Sequence, residues 1–143
     1  MQQQPSSKGL HITLWVLQTL LAAMYVMAGL MKVSQPVQTL SQSLPWTAQV
    51  PEALVRFIGV AEILGAVGLI FPSLLRIQPK LTPIAAIGLV LVQIFAIGFH
   101  ITRGETGVIG MNFILLLIAA FIAWGRFKKA PIAPKTNQSK VFA

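Results

Sequence analysis

FIGVAEILGAVGLIF, residues Phe57 to Phe71, is an apolar run with one carboxylic acid, Glu62, at its centre and Gly59, Gly65 and Gly68 around it. Read outward, the run begins near Ala53 and is expected to end where Pro72 and Ser73 follow it. That length suits one helical span of a hydrocarbon core about 30 Å thick. A charge held at mid-bilayer costs at least about 2.5 to 3.5 kcal/mol on insertion scales, so Glu62 is expected to be protonated, paired or in contact with water. The rest of the chain decides which.

Of the 143 residues, 55% are hydrophobic and 10% charged, too little polar surface to coat a soluble globule of this size. Three further apolar stretches accompany the first, giving expected helices at about 12–32, 53–71, 83–100 and 108–124. The fold class expected is all-α, an integral membrane antiparallel four-helix bundle with both termini cytoplasmic. Its parts are an N-terminal tail (1–11), the four-helix domain (12–125) and a basic, mobile C-terminal tail (126–143). Pro36, Pro45 and Pro51 break the link between the first two spans, which reads as a short interfacial segment with Leu44 and Trp46 at headgroup level.

The formal net charge is +8. The basic residues sit mainly in tails and turns, which is the pattern of orientation signals and headgroup contacts and not of a nucleic-acid partner. Lys8, Arg76, Lys80, Arg126, Lys128, Lys129, Lys135 and Lys140 fall on one side, and Lys32, Arg56 and Arg103 on the other. The first side is therefore expected to be cytoplasmic. The absence of cysteine excludes disulfides, thiol chemistry, cysteine-ligated iron–sulfur centres and covalently attached c-type haem within the chain. Neither a metal nor haem is expected, because His11 and His100 fall at opposite ends and Glu62, His100 and Glu105 are spread over depth. No phosphate loop, nucleophile elbow or paired-carboxylate arrangement appears, so a stand-alone enzyme is not the expectation.

Helix rise sorts the remaining polar residues by depth. With the outer boundary set near Lys32, Ala53, His100 and Val108, residues Tyr25, Glu62, Gln93 and Asn112 fall in one layer roughly 6 to 14 Å below it. Lys32 and His100 lie above that layer, and the inner half reads as almost wholly apolar. Lys32 is the expected partner of Glu62. Arg56 lies about 240° round the helix from Glu62 and is expected to snorkel to the outer surface. Two readings stay open for Lys32 and Glu62: an inter-helix tie without chemistry, or part of a ligand or proton site. His100 equally reads as a carbonyl cap or as a ligand group.

Gly29 and Lys32 in AGLMKV, Gly59, Glu62 and Gly65 in IGVAEILGAVGLI, and His100 in FAIGFH before Gly104 and Glu105 together resemble the DoxX-like family of small four-helix membrane proteins. The resemblance runs from about Leu17 to Ala123. It implies association with quinone-linked oxidation or redox defence, some relatives being small subunits of thiosulfate:quinone oxidoreductase. The same residues are similar to an animal branch that assists nicotinic acetylcholine receptor assembly. The leading expectation is an outer-half pocket of Tyr25, Lys32, Glu62, Gln93, His100 and Asn112 that binds a quinone-like or lipid-like molecule, its tail in the apolar inner half. Such a protein would serve as an accessory subunit of a membrane redox system, with quinone the candidate cofactor. A chaperone-like assembly factor is the alternative, and a small transporter the third reading. Expected partners are the lipid bilayer, a membrane or periplasmic protein and a second copy of the chain, in the bacterial inner membrane.

Overall fold

The computed structural model describes residues 7–136; parts of both expected tails, 1–6 and 137–143 with Lys140, lie outside the described residues. Helix α1 runs Lys8–Ser34, a short α2 Val37–Ser43, then a 3-10 turn Pro45–Gln49, α3 Glu52–Leu75, α4 Leu81–Thr102 and α5 Thr106–Trp124, which continues as a π-helical turn over Gly125–Lys129. Four of these are long and apolar enough to cross a membrane. They alternate in direction, so the described ends of the chain share one end of the bundle, called here the terminal end. The helix α2 and the 3-10 turn cover the other, distal end.

Large apolar residues look both ways. Leu14, Leu21, Leu69 and Leu89 are essentially inaccessible, while Leu20, Met27, Phe57, Leu64, Phe95 and Leu117 are each more than half exposed around the outside. An apolar exterior over an apolar core is stable only where lipid replaces water. The protein is an integral membrane protein in contact with the bilayer.

Packing passes round the ring from α1 to α3, α3 to α4 and α4 to α5, and closes only sparsely between α5 and α1. The α1–α3 seam is the tightest. A Cβ on Gly29 would stand 2.7 Å from the Gly59 carbonyl oxygen, and one on Gly59 would stand 2.8 Å from Lys32 Cβ. Two glycines thus bring backbones into contact, as small residues do in bilayers where no hydrophobic force drives helices together. In the terminal half, Leu21, Ala66, Leu69, Ala86, Leu89 and Ala119 fill the space between all four helices.

Several boundaries differ from the sequence reading. Helix α1 begins at Lys8 because the Ser7 hydroxyl accepts from the Leu10 amide, a side-chain N-cap. Helix α3 runs through Pro72 to Leu75 instead of ending there; the Pro72 ring forfeits one backbone bond, and Ser73 donates to Thr82 of α4 to hold the continuation. Arg56, half-buried, turns away from Glu62 toward the distal end. It donates to the Lys32 and Gln35 carbonyls at 2.6 and 2.7 Å, satisfying the orphaned C-terminus of α1, and pairs with Glu52. The chain beyond Gly125 is docked as far as it is described: Arg126 is buried, Arg76 donates to the Ala133 carbonyl, and the Lys135 amide donates to the Arg76 carbonyl.

Candidate functional site

Immediately distal to the packed core is a cavity of about 900 Å3, bounded by α3, α4 and α5 and covered by the segment Ser43–Val50. Such a volume lies at the upper end of the range for small-molecule sites, about 300 to 1,000 Å3. Its walls are mainly apolar: Leu54, Phe57 and Ile58 from α3, Phe95 and Phe99 from α4, Val108 and Met111 from α5. Phe57, Phe95 and Met111 are also exposed on the helix exterior, so the cavity borders the lipid-facing side.

The polar groups gather on one wall. The Lys32 ammonium donates to both Glu62 carboxylate oxygens, at 2.9 and 2.8 Å, with each side chain 8% exposed. The expected pair is therefore formed, and the glycine contact between α1 and α3 sets its length. Gln93 donates to the Tyr25 hydroxyl at 2.6 Å, tying α4 to α1 across the bundle. Two residues of this wall each carry a buried atom without a partner among the described residues: Gln93 Oε1, an acceptor, and Asn112 Nδ2, a donor. Unpaired buried groups of that kind each cost about 1 to 3 kcal/mol, a cost that a suitable ligand relieves.

His100 completes the site through local backbone geometry. Helix α4 ends on Gly104 in the left-handed region (φ +69°), with the Glu105 amide donating to the His100 carbonyl and the Gly104 amide to the Ile101 carbonyl. This doubly bonded helix stop, for which glycine is favoured, folds Glu105 back over the last turn. The Glu105 carboxylate accepts from His100 Nδ1 at 2.6 Å. That contact keeps the proton on Nδ1 and leaves Nε2 of this cavity-lining residue without a hydrogen bond among the described residues. Arg103 donates to the second Glu105 oxygen, reaches Gln49 of the cover and lies over the Phe99 ring, which itself meets Trp46 edge-on.

Hydrogen bonds from Arg103 first and His100 second hold the Glu105 carboxyl down to about 2 from its usual 4.5. Because the folded value is depressed, the stabilising contact is complete above pH 4.5 and is lost as pH falls towards 2. Trp46 fluorescence should therefore report release of the cover across that window. Glu105→Gln should remove the transition, and an unchanged transition in that variant would assign it elsewhere.

Five of the six expected site residues, Lys32, Glu62, Gln93, His100 and Asn112, line the cavity. Tyr25 does not; it stands behind Gln93 as its hydrogen-bond partner. The expectation that an apolar inner half would hold a tail fails, because packed leucines and alanines occupy that region. Nor is that half free of polar groups. Gln18 donates to the Leu69 carbonyl and accepts from Arg126, forming a second buried polar cluster. Glu105 and the aromatic cover were missed as site components, although the left-handed stop at Gly104 is the signal that returns Glu105 to His100.

A family model described as the DoxX-like family matches residues 16–122. The chain belongs to the DoxX-like family. The match covers most of the first and last spans, all of the two between them and every residue on the cavity wall, and it stops short of Arg126. No curated protein and no solved structure matches the chain. Within this DoxX-like protein, the cavity is the place where charge, orphaned hydrogen-bonding groups and apolar surface meet.

Proposed function

We propose that this DoxX-like membrane protein holds a small amphiphile of the quinone-like or lipid-like class, with its oxygen-bearing head on the polar wall and its apolar body between Phe57, Phe95 and Met111. The observation that carries this reading is that two residues lining a large apolar cavity, Gln93 and Asn112, each keep a buried, unpartnered atom, Oε1 and Nδ2, of opposite sense. Asn112 would donate to a carbonyl-type oxygen and Gln93 would accept from a hydroxyl, a combination that suits a head carrying either group. His100 Nε2 would meet a second oxygen, while Glu62 holds the Lys32 ammonium in place. No covalent step is assigned to the chain. The role is that of an accessory subunit of a membrane redox system, a role favoured by the family and by a cavity suited to a lipid-soluble carrier.

The terminal end, rich in lysine and arginine, is placed on the cytoplasmic side of a bacterial inner membrane, so that the cavity serves the opposite leaflet. A through-path for transport is disfavoured by the close-packed core beneath the cavity. The test is extraction of bound lipids and quinones from purified protein. Wild type should carry a near-stoichiometric amphiphile, and Asn112→Leu and Glu62→Gln should each reduce it by about tenfold, as expected for loss of a buried polar contact. Equal complements in all three proteins would sink the binding reading and leave an assembly factor as the better account, particularly if a stoichiometric protein partner survived the substitutions.

A further inference from the structure

Arg126 is 3% exposed, and no carboxylate of the described residues bonds to it. All three acidic residues, Glu52, Glu62 and Glu105, belong to the distal half. The nearest of them along α3, Glu62, is seven residues from Leu69, whose carbonyl marks the level of the Arg126 cluster; this is a separation of about 10 Å. The guanidinium is instead met by neutral groups: Nε donates to Gln18 at 2.6 Å, Nη1 donates to the Ala130 carbonyl at 3.1 Å, and Nη2 is buried without a partner. A buried cation left in that state is costly unless a counter-charge arrives from outside.

His11 adds a second, independent imbalance. The Trp15 indole, which can only donate, points at His11 Nε2 at 3.2 Å, and Arg126 Nη1, also only a donor, stands 3.2 Å from His11 Nδ1. A neutral imidazole has one acceptor nitrogen and one N–H. In either tautomer, one donor therefore faces another donor. An oxygen seated between His11 and the guanidinium resolves the conflict and gives Nη2 its missing acceptor. The Trp15 ring packs 5.3 Å from the guanidinium carbon, holding it in place, and the sparse α1–α5 seam provides the approach.

We infer that His11 and Arg126, at the α1–α5 junction of the terminal end, form a binding site for one phosphate-type oxyanion, separate from the distal cavity. Two sources carry that chemistry, the headgroup of an anionic phospholipid and free phosphate. The choice between them is experimental, because both present the same oxygens to the guanidinium.

Native mass spectrometry of the full-length protein in neutral detergent tests the site, with short-chain phosphatidylglycerol and inorganic phosphate as separate probes. Wild type should bind one equivalent of at least one probe. Arg126→Gln and His11→Phe should weaken it about tenfold or more, in keeping with loss of a charge-assisted contact. Lys128→Gln with Lys129→Gln should change it less than about twofold, as exposed charges contribute little. Binding of the lipid alone assigns the headgroup, binding of phosphate alone assigns a soluble anion, and displacement of the lipid by phosphate in wild type supports one shared site even if Arg126→Gln does not fold. Equal affinity in wild type and His11→Phe, or an equal loss in the lysine variant, would overturn the site in favour of a diffuse basic surface.

Discussion

Lys32→Met is expected to destabilise the bundle by about 3 to 5 kcal/mol, the usual cost of leaving one member of a buried ion pair without the other. Both Glu62 oxygens take their hydrogen bonds from this one ammonium, both side chains are 8% exposed, and no second cation among the described residues bonds the carboxylate. The double variant Lys32→Met with Glu62→Leu should recover most of the loss, because the charge and its partner go together and the space is refilled with carbon. Reversible unfolding in detergent micelles measures both. A double variant no more stable than Lys32→Met would mean that the pair does more than neutralise itself. Recovery of stability without recovery of bound amphiphile would separate the structural role of the pair from its role in binding.

The second large effect belongs to Gly59. A leucine there places its Cβ 2.8 Å from Lys32 Cβ and 2.9 Å from the Gly29 carbonyl oxygen, a backbone atom that cannot turn aside. Helices α1 and α3 must separate, and overpacking of this kind costs about 1 to 3 kcal/mol before any loss of the ion pair is added. Gly59→Leu should therefore approach the cost of Lys32→Met. The two effects should also overlap: in a Gly59→Leu background, Lys32→Met should cost much less than it does in wild type, the non-additivity expected of residues acting on one contact. Full additivity would show that the seam and the ion pair are independent. Gly59→Ala adds only the Cβ and should fall between Gly59→Leu and wild type.

The architecture was legible in the sequence because its cause is composition: four apolar runs bounded by proline, glycine and basic turns leave a bilayer few alternatives. The Lys32–Glu62 pair was legible for a related reason, since an acid at mid-span needs a cation and Lys32 was the nearest one able to reach it by helix rise. Depth in a bundle can be counted along the chain. Lateral position cannot, which is why Tyr25, at the right depth, was expected on the cavity wall but lies behind Gln93. The partners of Arg56 were not legible because rotation round its own helix says nothing of the carbonyls at the end of the neighbouring one. Arg126 was read into a mobile basic tail because eight basic residues of similar appearance share that side, and burial of one depends on Gln18 and Trp15, more than 100 residues away. The inner half was read as receptive to a tail because apolar composition describes a hollow and a filled interior equally well.

The seam between α1 and α3 also bears on how the chain enters its membrane. Lys32 precedes Glu62 by 30 residues, so the ammonium has already left the ribosome when the carboxylate follows. The two belong to consecutive spans, and Gly29 and Gly59 bring those spans together without help from α4 or α5. The buried charges of the first helical hairpin, Lys32 and Glu62, thus balance within one unit of insertion. The acid that would burden α3 as a solitary span is matched within the half of the protein made first, and α4 and α5 are added to a hairpin whose charges are already closed.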